Sequence, residues 1–120
     1  MGYRNNVMLF TKGAGRMKVS LSTQTIGNDL IVCIFNEQGH LGAVAVAEYS
    51  VEEGRASTSV ITSPGHSDDV IAREAAYKLC KRLKRRACVI AGVHLDDITP
   101  DEIDDIVRTC DELVDEFSRS

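Results

Sequence analysis

Two stretches decide the fold: Ala56-Ser-Thr-Ser-Val-Ile-Thr-Ser-Pro-Gly-His66, and, after a helix-like run, Ala87-Cys-Val-Ile-Ala-Gly-Val-His94-Leu-Asp-Asp97-Ile-Thr-Pro100. A strand pattern, a helix pattern and a second strand pattern follow one another. Such a unit predicts two parallel strands joined by a right-handed crossover. Each strand pattern runs out into a short segment carrying a Gly and a His. In open α/β sheets, ligands favour the crevice beyond the carboxyl ends of parallel strands. Gly65-His66 and Gly92-Val93-His94 therefore fall where a ligand is expected.

Working outward, residues 67–86 carry the helix. Ser67 is placed as N-cap, with Asp68 and Asp69 in an acidic first turn. Val70, Ile71, Ala75, Leu79 and Leu83 form its apolar stripe, with Ala72, Ala76 and Cys80 beside it. Thr99-Pro-Asp-Glu102 joins a capping box to a proline at the first helical position, which predicts a second helix. Its stripe is Ile103, Ile106, Val107, Cys110, Leu113, Val114 and Phe117.

Three strands precede the decisive stretch. Residues 17–25 alternate apolar and polar, as a half-buried strand does. Gly27-Asn28-Asp29 is turn chemistry. Leu30-Ile-Val-Cys-Ile-Phe35 is apolar on both faces, the pattern of a central strand. Asn36-Glu-Gln-Gly39 reads as a short hairpin loop ending at His40. Leu41-Gly-Ala-Val-Ala-Val-Ala47 is a strand whose small residues let a helix or a ligand approach closely. Residues 1–15 lack a clean period and are read as a short strand or a disordered start, and Gly13-Ala-Gly15 lacks the context of a phosphate loop. The expectation is one α/β (α+β) domain over residues 1–120. Its single mixed sheet has about five strands in the element order β-β-β-β-α-β-α, and both helices pack on one sheet face. The other face is apolar enough to predict a homo-oligomer interface.

Composition sets the class. The chain has 120 residues, 43% hydrophobic and 27% charged, with a net charge of −4. That suits a globular protein and argues against a general nucleic-acid or membrane-surface binder. The basic cluster Lys78, Lys81, Arg82, Lys84, Arg85 and Arg86 lies where cations complement a helix dipole. The four cysteines form no Cys-x-x-Cys and sit in apolar patterns, so they read as buried small hydrophobes. No signal peptide or long apolar run is evident, which predicts a reduced, cytoplasmic protein.

Direction of travel then brings the three histidines together. If the first four strands alternate in direction and the helix returns the chain, His40, His66 and His94 share one sheet edge. Ser63, Ser67, Asp96, Asp97 and both helix N-termini fall there too. Two uses fit that edge: an anion site, with imidazoles and helix N-termini gripping a phosphate, or a metal site of imidazoles and a carboxylate. The bland alternative is ordinary turn histidines beside turn glycines. No nucleophile elbow is present.

His40-Leu-Gly-Ala-Val-Ala45, Pro64-Gly-His66-Ser-Asp-Asp69 and Ala91-Gly-Val-His94-Leu-Asp96 together resemble the small D-subunit of gallate decarboxylase and its relatives, a prenylated-flavin chaperone-like family. The likeness runs from about Gly27 to Glu116. The family pattern often places a proline before the first His, where this chain has Gly39. The resemblance implies a small α/β fold related to proteasome-assembly-chaperone domains. It also implies a non-catalytic role: supplying prenylated FMN to a decarboxylase of the UbiD type. It would place prenylated FMN or FMN against His40, Gly42, Gly65, His66, Ser67, His94 and Asp96, with its phosphate near Ser67 and its ring across Gly42, Ala43 and Ala45. The readings left standing beside it are a small metal-dependent enzyme using His40, His66 and His94, and a purely structural assembly partner.

Overall fold

The computed structural model describes residues 7–62 and 68–119. Six strands form one mixed sheet: β1 (Met8–Lys12), β2 (Val19–Ile26), β3 (Asp29–Phe35), β4 (Ala43–Ser50), β5 (Arg55–Thr62) and β6 (Ala87–Gly92). Two long helices, α1 (Asp68–Leu83) and α2 (Pro100–Arg119), follow β5 and β6. The strand order is β1-β2-β3-β6-β4-β5. The expected fold class holds, with one strand more than expected: residues 8–12 pair antiparallel with β2.

The directions of travel agree with the expectation, but one connection differs. β5 and β6 each pair antiparallel with β4, so they run the same way with β4 between them. β3 and β4 do not form a hairpin, because β6 inserts between them, parallel to β3 and antiparallel to β4. β3 and β6 carry apolar residues on both faces, and side-by-side placement in the centre removes the most apolar surface from water. Residues 36–42 also hold no positive φ, which a two-residue hairpin turn requires, whereas Gly27 (φ 59°) and Gly54 (φ 66°) supply it at the real hairpins.

One sheet face is the core. Val19, Leu21, Val32, Ile34, Ala45, Ala47, Val89 and Ala91 are fully buried there. The register puts them on a common side. Both helices cover that side, α1 against β4, β5 and β6, and α2 against β1 and β2. The alanines of β4 lie under α1, so the helix takes the close approach that small residues allow. From α1, Ile71, Ala72, Ala75, Ala76, Leu79 and Cys80 are buried. Val70, expected in that stripe, is 36% exposed. From α2, Ile106, Cys110, Leu113 and Val114 are buried. Lys78 and Arg82 do more than complement a helix end, since they bridge to Asp111 and Asp115 of α2. No helix among the described residues is long and apolar enough to cross a membrane.

Among the described residues, no element covers the opposite face. Ile31, Cys33, Phe35, Val44, Val46, Cys88 and Ile90 lie on it by register, half-buried or exposed.

Candidate functional site

The parallel strands β3 and β6 end at the same sheet edge, and the loop from β3 must cross the end of β6 to reach β4. That crossing is tight. A Cβ on Gly39 would lie 1.9 Å from the Gly92 carbonyl oxygen, and one on Gly92 would lie 1.8 Å from the His40 carbonyl oxygen. Only glycine at both positions lets the two backbones meet. Gly42 N–H then donates to the Ala91 carbonyl at 3.0 Å.

Two buried polar side chains fix the end of β6. Asn36, 8% exposed, donates its amide to the His94 carbonyl at 2.8 Å and accepts from the His94 N–H at 3.0 Å. It acts as a backbone substitute where the ladder stops. Asp68, 3% exposed at the start of α1, accepts from Val93 N–H at 3.0 Å. Its carboxylate fills the space that a side chain on Gly42 would need.

The geometry brings His40 and His94 together. Their ring centroids are 5.5 Å apart with an interplanar angle of 40°. His94 Nε2 lies 3.0 Å from Asp96 Oδ1, which orients the ring. Both imidazoles reach solvent. Gly65, His66 and Ser67, together with Ser63, lie outside the described residues. Gly42 is buried against Asp68, and Asp97 occupies a turn with φ 50°. Ala43 and Ala45 are 2% and 0% exposed, so a flavin ring has no access to the small-residue surface expected to hold it. Among the described residues, no group of three or more His, Cys, Asp or Glu is placed to hold a metal.

Two hollows open beside the histidine pair. One, of about 370 Å³, lies on the uncovered sheet face and is lined by Cys33, Phe35, His40, Leu41 and Ile90, among others. The second, of about 440 Å³, is lined by Arg16, Lys18, Ser20, Phe35, Glu37 and Asp96, among others. Phe35 borders both. Volumes of this size are at the lower end of the range for small-molecule sites.

Sequence reasoning missed Asn36, Asp68, Arg16 and Phe35. In the sequence Asn36 reads as loop chemistry and Asp68 as an acidic first-turn residue, and nothing local marks either as a tie to β6. Arg16 gives no sequence signal, because its partners, the Glu102 carboxylate (3.0 and 3.1 Å) and the Asp96 carbonyl (3.0 Å), lie far along the chain.

The model of one family, described as the prenylated flavin chaperone LpdD-like domain, matches residues 13–120. No curated protein matches the chain. Among solved structures, a chain from the crystal structure of a chaperone complex for yeast 20S proteasome assembly is similar, with a TM-score of 0.61 at 14% identity, covering 93% of this chain and 96% of that one. At that identity the likeness concerns the fold alone.

Proposed function

The chain belongs to the prenylated flavin chaperone LpdD-like family, and on that premise we propose that it binds prenylated FMN or FMN at the His40–His94 edge and passes it to a UbiD-type decarboxylase. The role is that of a carrier or accessory subunit in a reducing cytoplasm, with no bond made or broken by the chain itself. The observation that carries the reading is the convergence of two imidazoles from separate loops over the Gly39–Gly92 contact. Gly42 would shape the first loop, Asp96 would orient His94, and Gly65, His66 and Ser67 would complete the edge. A carrier needs a site that grips and releases, and the solvent-reaching His40 imidazole at the rim of an open hollow, with His94 beside it, suits that need.

The part of the exposed apolar sheet face around Ile31, Val46 and Cys88, away from His40, supports a second element of the proposal, self-association into a homodimer or higher homo-oligomer.

The test is titration of FMN, and of its prenylated form, against wild type and the single variants His40→Ala, His66→Ala and His94→Ala. Each substitution should weaken binding by about tenfold, the effect of losing one charged or polar contact, with the circular dichroism spectrum unchanged. Equal affinities in all four proteins, or no binding by any, would remove this reading and favour a structural assembly partner.

A further inference from the structure

The two hollows that meet at Phe35 differ in character, and the difference matches the two ends of a flavin mononucleotide. Building on the flavin-binding reading above, we propose that the ring system lies on the uncovered sheet face in the hollow roofed by His40 and Leu41, and that the phosphate passes over Phe35 into the hollow at Lys18.

The ring hollow has an apolar floor. Cys33 and Ile90 are paired neighbours on β3 and β6 and point to the uncovered face. Phe35 offers an aromatic edge at one end and is 39% exposed. Leu41, 65% exposed, gives the roof an apolar side chain that the core does not use. A flat, largely apolar tricyclic ring gains most from a surface of this kind, through area removed from water and aromatic contact.

The second hollow supplies charge. Arg16 is committed to Glu102 and to the Asp96 carbonyl. The Asp96 carboxylate is engaged by His94. Lys18 enters no ion pair among the described residues and lines the hollow with Ser20. Of the two described cations that line this hollow, Arg16 and Lys18, it is Lys18 that is available to a phosphate. Glu37 lines the same hollow as the opposing charge. The first turn of α1 is a poorer place for the phosphate, because the buried Asp68 carboxylate is already there, held by Val93 N–H.

FMN and riboflavin differ by the phosphate alone, so their comparison separates the two halves of the proposal. Isothermal titration of both should show wild type preferring FMN by about tenfold. Lys18→Ala should abolish that preference by weakening FMN and leaving riboflavin unchanged. Glu37→Gln should tighten FMN alone. Ser22→Phe fills the ring hollow from β2 and should weaken both ligands at least tenfold. Leu41→Ala, at an exposed position, should weaken both by a smaller factor and serves if Ser22→Phe misfolds. An FMN preference that survives Lys18→Ala overturns the phosphate placement. Unchanged affinities in Ser22→Phe and Leu41→Ala overturn the ring placement. Equal binding of FMN and riboflavin by wild type leaves flavin binding standing and removes the phosphate site. Binding of neither FMN nor riboflavin removes this proposal, and the reading on which it rests falls with it if prenylated FMN fails to bind as well.

Discussion

Asn36 and His94 are joined twice, the side-chain amide of one donating to and accepting from the backbone of the other at 2.8 and 3.0 Å. β3 and β6 are parallel neighbours whose ladder ends at Phe35 and Gly92. The Asn36 amide continues that pairing by one residue and so sets the direction in which the His94 ring leaves the sheet. Asn36→Ala would leave the part-buried His94 N–H and carbonyl without their side-chain partner, at a cost of about 1–2 kcal/mol. Urea denaturation should show that loss, and FMN affinity should fall with it. A stability within a few tenths of wild type would mean that water replaces the amide at no cost.

The Gly39–Gly92 contact makes the site intolerant of the smallest side chain. Gly92→Ala would drive a methyl into the His40 carbonyl, and Gly39→Ala would drive one into the Gly92 carbonyl. Both obstacles are backbone, so the loop must move away. A destabilisation of about 2–3 kcal/mol is expected for each, with loss of the His40–His94 approach. Thermal melts of the two variants test it, and a melting temperature equal to wild type in either would show that the crossing is looser than the contact implies.

The capping box at α2 is formed as its sequence pattern predicts. Glu102 N–H donates to Thr99 Oγ1, and Thr99 N–H donates to Glu102 Oε1, both at 3.1 Å. Thr99→Ala should cost about 1 kcal/mol. The Arg16 guanidinium, and after it the Thr99 N–H, hold the Glu102 carboxyl below its ordinary value. A carboxyl depressed in the folded state stabilises it above the ordinary pKa, and that contribution is lost as pH falls from about 4.5 through the lower folded value. Arg16→Ala should therefore flatten the acid limb of the stability–pH curve between about pH 5 and 3. An acid limb identical to wild type would show that Glu102 does not contribute to it.

Most of the fold was legible because its signals are local. The stripes Ile71–Leu79 and Ile106–Val114, the Thr99–Glu102 cap and the turn glycines Gly27 and Gly54 each act within a few residues. Strand order was not legible, since the insertion of β6 between β3 and β4 is a choice among long-range pairings of similar apolar strands. Chain direction survives that ambiguity, and this is why His40 and His94 could be placed on one edge. The partners of that edge could not. Asn36 and Asp68 bind a backbone distant in sequence, and the fate of Ala43 and Ala45 depends on which helix covers β4.

The cysteines report on the uncovered sheet face. Cys88 lies on it beside Val46 and Ile31, away from the histidine edge, and is half-buried. Burial, with a smaller effect from Cys33, raises its pKa. Cys80 and Cys110 are buried on the core-facing sides of α1 and α2, and burial pushes the Cys110 thiol up to about 12. Because the thiolate is the reactive form, Cys80 and Cys110 should resist alkylation until the protein unfolds. If a second copy covers the face, wild-type Cys88 should also react slowly, and light scattering should give a mass above that of one chain. Val46→Lys puts a charge into the contact from a side chain already 36% exposed, so the fold should tolerate it while the assembly dissociates. Mass spectrometry after timed iodoacetamide labelling should then show Cys88 modified at least tenfold faster in Val46→Lys, with Cys80 and Cys110 protected in both proteins. A monomeric wild type whose Cys88 labels as fast as the variant's would show that this face is not a self-association surface.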